Sequence, residues 1–254
     1  ARPRRTDLVR QLVEGSDPSA AAAGLGIPAG APVAVLALEP RSAAGSGTQD
    51  LARLLDVLTL GLEARVGPTG CLAGGGRIYA VLAATRVTPE RVPGAVAEVL
   101  RTSSTAARWE LRAGIGGFSD QPRDVRRSRF DADQVLTLLG RHPELGAVRA
   151  ASEVGDELVL LRLADRFESA AALSAPASAV LRHDAHHQTG YADLLLAWCD
   201  LGRDVRRVAE RLTLHPNTVR YRLGRATALF DLALDQPAQV LLLWLALRLE
   251  RSRG

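Results

Sequence analysis

The pattern of apolar residues changes once along the chain, and this change constrains the fold more than any other feature. Before the change, short β-branched runs alternate with amphipathic helical patterns, whereas from Glu157 onward only helical periodicity occurs. Alternating strands and helices are typical of a sheet covered by helices. The 254 residues are enough for two cores. We therefore predict an α/β (α+β) domain over 1–165 and an all-α domain with a helical connector over 166–254.

Turn residues bound the predicted strands of the first domain. The run Val33–Leu38 ends before Pro40, and segments 71–73 and 77–83 flank the triglycine 74–76, which is typical of a hairpin. Two shorter strands are predicted over 111–115 and 146–149, with helices over 6–15, 50–66, 88–101 and 122–139.

An uncharged run from Ser19 to Leu38 resembles a membrane span in composition. Glycine or proline occurs at every second residue from Gly24 to Pro32, however, and these residues interrupt helices. We therefore predict a loop that enters a strand, and no membrane segment.

All 32 basic residues are arginine, and the formal net charge is +4. Without lysine, the chain lacks a P-loop lysine, a Schiff-base lysine and a Ser-x-x-Lys nucleophile pair. Cys71 and Cys199 have no Cys-x-x-Cys spacing, which argues against a disulfide framework or thiolate zinc site and favours a reducing cytoplasm. Because the sequence contains no Met, we expect it to be a piece of something longer, with upstream domains missing.

Two helices joined by a short turn are predicted between 204 and 230. Asp204 is a favourable N-cap for a helix that ends at Leu212, and residues 213–215 form the turn. Pro216 suits the first position of a longer helix, which ends at Phe230. Apolar residues line one face of each helix, which predicts that the two helices pack together.

The opposite face of the longer helix carries side chains that suit DNA. At about 100° per residue, Asn217, Tyr221 and Arg225 lie opposite Val219, with Thr218 beside them. We call these four residues, 217, 218, 221 and 225, the recognition face. Asn and Arg can bond base edges, Thr can contact a thymine methyl group, and the flanking Arg220 and Arg222 can neutralise phosphates.

Local charge supports a nucleic-acid interface, because seven arginines and only two acidic residues lie between Arg203 and Arg225. The alternative is an ordinary three-helix domain whose arginines are merely solvated.

The stretch Ala209–Leu223, A-E-R-L-T-L-H-P-N-T-V-R-Y-R-L, resembles the helix-turn-helix of the PucR/CdaR family of bacterial transcriptional regulators. In that family a H-x-N-T-[LV]-R-Y-R-L run marks the recognition helix, and only Pro216 occupies a position where Arg is frequent. The resemblance implies a DNA-binding regulator. The predicted DNA-contacting residues are His215, Asn217, Thr218, Arg220, Tyr221, Arg222 and Arg225.

The first domain resembles the one that this family places before its helix-turn-helix, a divergent relative of the GGDEF diguanylate cyclase fold. Aligning G-G-D-E-F with residues 75–79 puts Arg77 and Ile78 at the two acidic positions. Neither side chain binds Mg²⁺, which prefers oxygen ligands. We therefore expect no enzyme activity, no cofactor and no metal site.

Three weaker features have structural interpretations. His183, His186 and His187 could suggest metal ligands, but they lack a zinc pattern, which favours capping or contact roles. The 114–117 glycine cluster, only a fragment of a dinucleotide fingerprint, predicts a tight turn. Trp198, Trp244 and 240–247 are expected to be buried within the C-terminal domain by default, or in part to face a partner helix. Surplus apolar surface on so small a domain predicts a homodimer, the form in which helix-turn-helix proteins commonly bind paired half-sites.

Three hypotheses follow. In the first, the chain regulates transcription by binding duplex DNA, and the α/β domain dimerises or relays a signal. In the second, the GGDEF-like domain senses or processes a nucleotide. In the third, the α/β domain is only an interaction module, and DNA binding is weak without upstream parts. A small-molecule effector would act through this chain or through a missing domain.

Overall fold

The computed structural model describes residues 5–14, 18–42, 48–103, 106, 109–164, 166 and 173–253, and it divides the chain into compact units 1–158 and 159–254. The strands are β1 (Val33–Ser42), β2 (Thr69–Gly74), β3 (Arg77–Ala83), β4 (Trp109–Ile115) and β5 (Val148–Ala150). The helices are α1 (Arg5–Glu14), α2 (Pro18–Gly24), α3 (Thr48–Arg65), α4 (Val92–Thr102), α5 (Val125–Arg141), α6 (Gly155–Ala164), α7 (Ala175–His187), α8 (Tyr191–Asp200), α9 (Val205–Leu212), α10 (Pro216–Phe230) and α11 (Pro237–Arg253).

The first unit is built on a five-stranded mixed sheet in the order β2-β3-β1-β4-β5. All neighbouring strands are antiparallel except β4 and β5, which pair in parallel. Because successive side chains of a strand point to opposite faces, both faces of β1 and β3 bury apolar residues. Helices α3 and α4 cover one face, and α1, α2 and α5 cover the other. The first unit is therefore an α+β domain, followed by an all-α region.

The predicted hairpin is confirmed. Gly75 and Gly76 form its turn with φ angles of 60° and 75°, a backbone conformation that glycine adopts at little cost. Strands β2 and β3 then pair from Gly74 with Arg77 to Thr69 with Leu82.

The structure corrects the boundaries of the first strand. Strand β1 continues through Pro40 to Ser42, although we predicted that it ends before the proline. Strand β3 pairs with β1 only as far as Leu38, so beyond that residue β1 has one neighbour, β4. Proline is tolerated where one side of a strand is unpaired.

Two helix starts also differ from the predictions. Residues 18–24 form the short helix α2, although we predicted a loop. Pro18 lies in its first turn, where proline is tolerated, and the helix-interrupting residues begin only at Gly24. Thr88 makes no side-chain cap bond, and a 3₁₀ turn, Pro89–Arg91, precedes α4. The Gly/Ser stretch 43–47, whose composition predicts a loop, and the connector residues 167–172 lie outside the described residues.

The second unit contains only helices among its described residues. Helix α6 contains the point where the chain divides, and α7 to α11 share one apolar core. Pro176 lies in the first turn of α7, where Ser174 accepts a hydrogen bond from the amide of Ala177. The proline therefore begins this helix.

Close contact between α5 and the sheet explains the 114–117 glycine cluster. The amide of Gly116 donates to the carbonyl oxygen of Val35 at 2.8 Å, and the amide of Val35 donates to Ser128 Oγ at 2.8 Å. A Cβ atom on Gly116 would overlap the backbone carbonyl of Ser128, and one on Gly114 would overlap that of Ala132. The predicted tight turn is therefore wrong, because these glycines serve helix packing.

We expect Gly116→Ala to lower the free energy of unfolding of the first unit by about 3 kcal/mol, since the added methyl group meets rigid backbone. Urea unfolding of the full chain, followed by circular dichroism, measures the change. Gly94→Ala in α4 is the matched control. Its Cβ would meet nothing within 4 Å, and alanine favours helix, so stability should stay equal or rise slightly. Equal stability of both variants would contradict the packing role of Gly116.

Candidate nucleic-acid interface

Helix α9 begins at a capped residue and ends in a tight turn. The carboxylate of Asp204 accepts from the amides of Arg206 at 2.8 Å and Arg207 at 3.3 Å, which confirms the predicted cap. Such a cap contributes about 1 kcal/mol. Thr213 then adopts a left-handed conformation with φ of 55°, and the amide of Leu214 donates to the carbonyl of Ala209 at 2.8 Å. This turn redirects the chain within a few residues.

Helix α10 has the bounds that the sequence predicts, Pro216–Phe230. Pro216 lies in the first turn, where its missing N–H costs nothing. The ring Nδ1 of His215 accepts from the amide of Asn217 at 3.2 Å. His215 is therefore the N-cap of this helix.

One face of α10 is buried, and the opposite face is exposed. Val219, Leu223, Ala226 and Phe230 contribute to the apolar core of the second unit, together with Val208 and Ala209 of α9. All four residues of the recognition face are exposed, and Tyr221 keeps 66% of its surface accessible. The recognition face is therefore accessible to a ligand.

Arg220 and Asn217 form a hydrogen bond along the exposed side of α10, with 2.9 Å between Nη1 and Oδ1. This bond holds two predicted DNA-contacting side chains next to each other at the first turns of the helix. Helix N-termini also attract anions through the helix dipole.

Arg222 is the one predicted DNA-contacting residue that is half-buried. Its Nη2 donates to the backbone carbonyl oxygen of Thr189, and its Cζ lies 5.5 Å from the centroid of the Tyr191 ring. Periodicity did not show this contact, because Thr189 lies outside the helix pair and 33 residues away along the chain.

In the first unit, the hairpin borders a cavity of about 650 Å³. Arg77 Nη1 lies 2.5 Å from Asp133 Oδ1, and the Tyr79 hydroxyl donates to the same oxygen at 2.9 Å. Arg129 lies over the Tyr79 ring at 4.5 Å. Ile78 is fully buried in the core on the α3 and α4 face. A cyclase hairpin has acidic residues at these two positions. Here the first is Arg77, which is paired with the carboxylate of Asp133, and the second is Ile78, which is a core residue.

The remaining candidate groups are the possible metal ligands and the two cysteines. Among the described residues, no three or more His, Cys, Asp or Glu side chains come together as a metal site. Burial raises the pKa of the Cys71 thiol and of the Cys199 thiol to about 11 in each case, so both are protonated at neutral pH and poor nucleophiles. No helix in the described part of the chain could span a membrane.

A short helix, a tight turn and a longer helix with an exposed basic face define the helix-turn-helix class, whose members bind DNA. Two protein-family models match the chain. The model of the PucR C-terminal helix-turn-helix domain matches residues 191–249, and that of the GGDEF-like domain matches residues 13–138. The chain therefore has a GGDEF-like domain followed by a PucR-type helix-turn-helix domain, and this combination supports a DNA-binding transcriptional regulator of the PucR/CdaR type.

One solved structure that resembles the chain is the crystal structure of a regulator of polyketide synthase expression from Bifidobacterium adolescentis. The two chains share 18% identity and a TM-score of 0.36, over 98% of this chain and 93% of the other. A TM-score at this level supports no inference about fold or function. No curated protein matches the chain.

Proposed function

We propose that the chain binds duplex DNA sequence-specifically through α10, with the recognition face in the major groove and Arg220 on a phosphate. The observation that carries this proposal is the exposure of all four recognition-face residues on a helix whose other side is buried. Asn and Arg offer directional hydrogen bonds to base edges, whereas flanking arginines supply affinity that is independent of sequence. His215 lies at the start of the helix and is proposed to contact the backbone nearby.

The chain is proposed to act in this way without catalysis. The hairpin carries no acidic residue at the two positions that hold carboxylates in a cyclase, so it lacks the oxygen ligands that Mg²⁺ prefers. We propose that the GGDEF-like unit dimerises or relays a signal. We also propose that the protein is located in the cytoplasm.

We expect binding of duplex DNA from the protein's own promoter region to weaken steeply with salt, because bound arginines release counterions from phosphates. Arg220→Ala should lower the magnitude of the salt slope by about one unit. Fluorescence anisotropy across a salt series measures both quantities. Arg65→Ala, which removes the same charge from an exposed position of α3, should leave the slope unchanged.

Substitution of Asn217 by alanine on the same duplexes separates specific from general binding. The variant should lose about 1–3 kcal/mol on the promoter duplex and much less on a scrambled duplex of equal composition. If wild type shows no salt-dependent binding at low ionic strength, the proposed function is wrong for this chain.

We also propose that the chain binds DNA as a homodimer, with α11 at the interface. Leu241 is 59% exposed and Leu242 is 41% exposed, although Val240 and Leu243 beside them are buried. A helix that is apolar on all sides is normally covered on all sides. Helix-turn-helix dimers place two recognition helices on half-sites about one DNA turn apart.

Leu241→Glu should convert the dimer into a monomer, because it puts a charge into the proposed apolar interface. Light scattering coupled to size-exclusion chromatography measures the mass at several concentrations. The matched control is Leu60→Glu in α3, where the leucine is 69% exposed. A Leu241→Glu variant with the mass of the wild-type dimer would exclude α11 as the interface.

The cavity beside the hairpin favours a second candidate function, nucleotide sensing. Its lining includes the guanidinium groups of Arg77 and Arg129 together with the carboxylates of Glu14 and Glu39. Its volume lies within the range of small-molecule sites. A ligand bound there would stabilise the folded chain by mass action.

If the second candidate holds, millimolar GTP should raise the thermal midpoint by a few degrees, which differential scanning fluorimetry detects. Arg77→Ala should remove that shift, whereas Arg65→Ala should keep it. No shift with wild type would count against the nucleotide hypothesis and leave DNA binding unaffected.

A further inference from the structure

Arg222 joins the middle of α10 to the loop between α7 and α8. Its guanidinium donates to the carbonyl oxygen of Thr189 and lies 5.5 Å from the ring centroid of Tyr191, which begins α8. A guanidinium group is attracted to an aromatic ring at this distance. Both partners of Arg222 belong to one short segment, so this single side chain makes two contacts there.

Asp184, near the end of α7, holds this loop in place. Its carboxylate accepts from the amides of Tyr191 at 3.1 Å and Ala192 at 2.7 Å, and from the hydroxyl of Thr189. These bonds satisfy amide groups at the start of α8, which have no partner within their own helix. Because Asp184 fixes Thr189, the carbonyl oxygen that accepts from Arg222 has a defined position.

His183 of α7 connects this loop to the far end of α10. His183 Nδ1 lies 3.1 Å from the Thr189 hydroxyl oxygen, and the His183 ring packs edge-on against Phe230 with 5.3 Å between centroids. The loop backbone is left-handed at Gln188, with φ of 49°, which a non-glycine residue adopts only where its surroundings determine it. The loop is therefore a defined support for α10 at two points.

We propose that Arg222 is a positioning residue, which sets the placement of α10 through Thr189 and Asp184, and does not contact phosphate. This inference rests on the proposed function, and it replaces the interpretation of Arg222 as a flanking phosphate contact. Direct base contacts depend on geometry that is held to a fraction of an ångström by a supporting set of bonds. The network of Arg222, Thr189 and Asp184 supplies that support.

Asp184→Ala separates positioning from electrostatics. The variant removes a negative charge, so electrostatics alone predicts equal or tighter DNA binding. Positioning predicts weaker binding. We expect Asp184→Ala and Arg222→Ala each to lower the affinity for promoter duplex about tenfold relative to scrambled duplex, the loss of about one base contact. The salt slope should stay close to that of wild type in both variants.

Three further variants complete the experiment. Glu210→Ala removes an exposed acid from α9 and leaves the contacts of Arg222, Thr189 and Asp184 intact. The ratio of the affinities for promoter and scrambled duplex should therefore not change. Arg220→Ala should lower the salt slope by about one unit. The double variant of Asp184 and Arg222 should bind no more weakly than either single variant, because both act through one linkage.

The proposal is overturned if Arg222→Ala lowers the salt slope by about one unit while Asp184→Ala binds as tightly as wild type. Circular dichroism and thermal midpoints show whether each variant folds. If Asp184→Ala fails to fold, Thr189→Val is used instead, because it removes only the hydroxyl contacts. It must then reproduce the lowered affinity for promoter duplex relative to scrambled duplex. An absence of DNA binding by wild type itself would instead overturn the proposed function.

Discussion

The burial of one side of α10 is the interaction on which the rest of the helical unit depends. Val219, Leu223, Ala226 and Phe230 pack into the core that α7, α8, α9 and α11 complete. Each buried aliphatic or aromatic side chain contributes about 1.5–3 kcal/mol, more than any cap or surface contact in this unit. Because helix geometry ties the two sides together, burial of this stripe dictates which residues face outward.

The same residues explain why the bounds of the helix could be predicted from the sequence. The bounds of α10 follow from proline at its first turn and from apolar residues at helical spacing, both of which are local signals. The hairpin was also predictable, since consecutive glycines favour its turn. Six of the seven predicted DNA-contacting residues are exposed, as an interface requires.

What the sequence did not predict depends on contacts between distant segments. The bond from Arg222 to Thr189 joins residues that no helical or strand period relates. The continuation of β1 through Pro40 depends on where β3 stops pairing, and the use of Gly116 depends on how closely α5 approaches β4. Periodicity describes one element at a time, so it identifies exposed faces better than the contacts that hold them.

The attachment of Arg222 also has an entropic consequence. An arginine that swings freely in solvent must give up about 2 kcal/mol of rotamer entropy when it becomes ordered. The Arg222 side chain is half-buried and held by a carbonyl oxygen and an aromatic ring in the free protein. That ordering cost is met during folding. The side chain that connects α10 to the α7–α8 loop is therefore already ordered before any ligand approaches the exposed face of the helix.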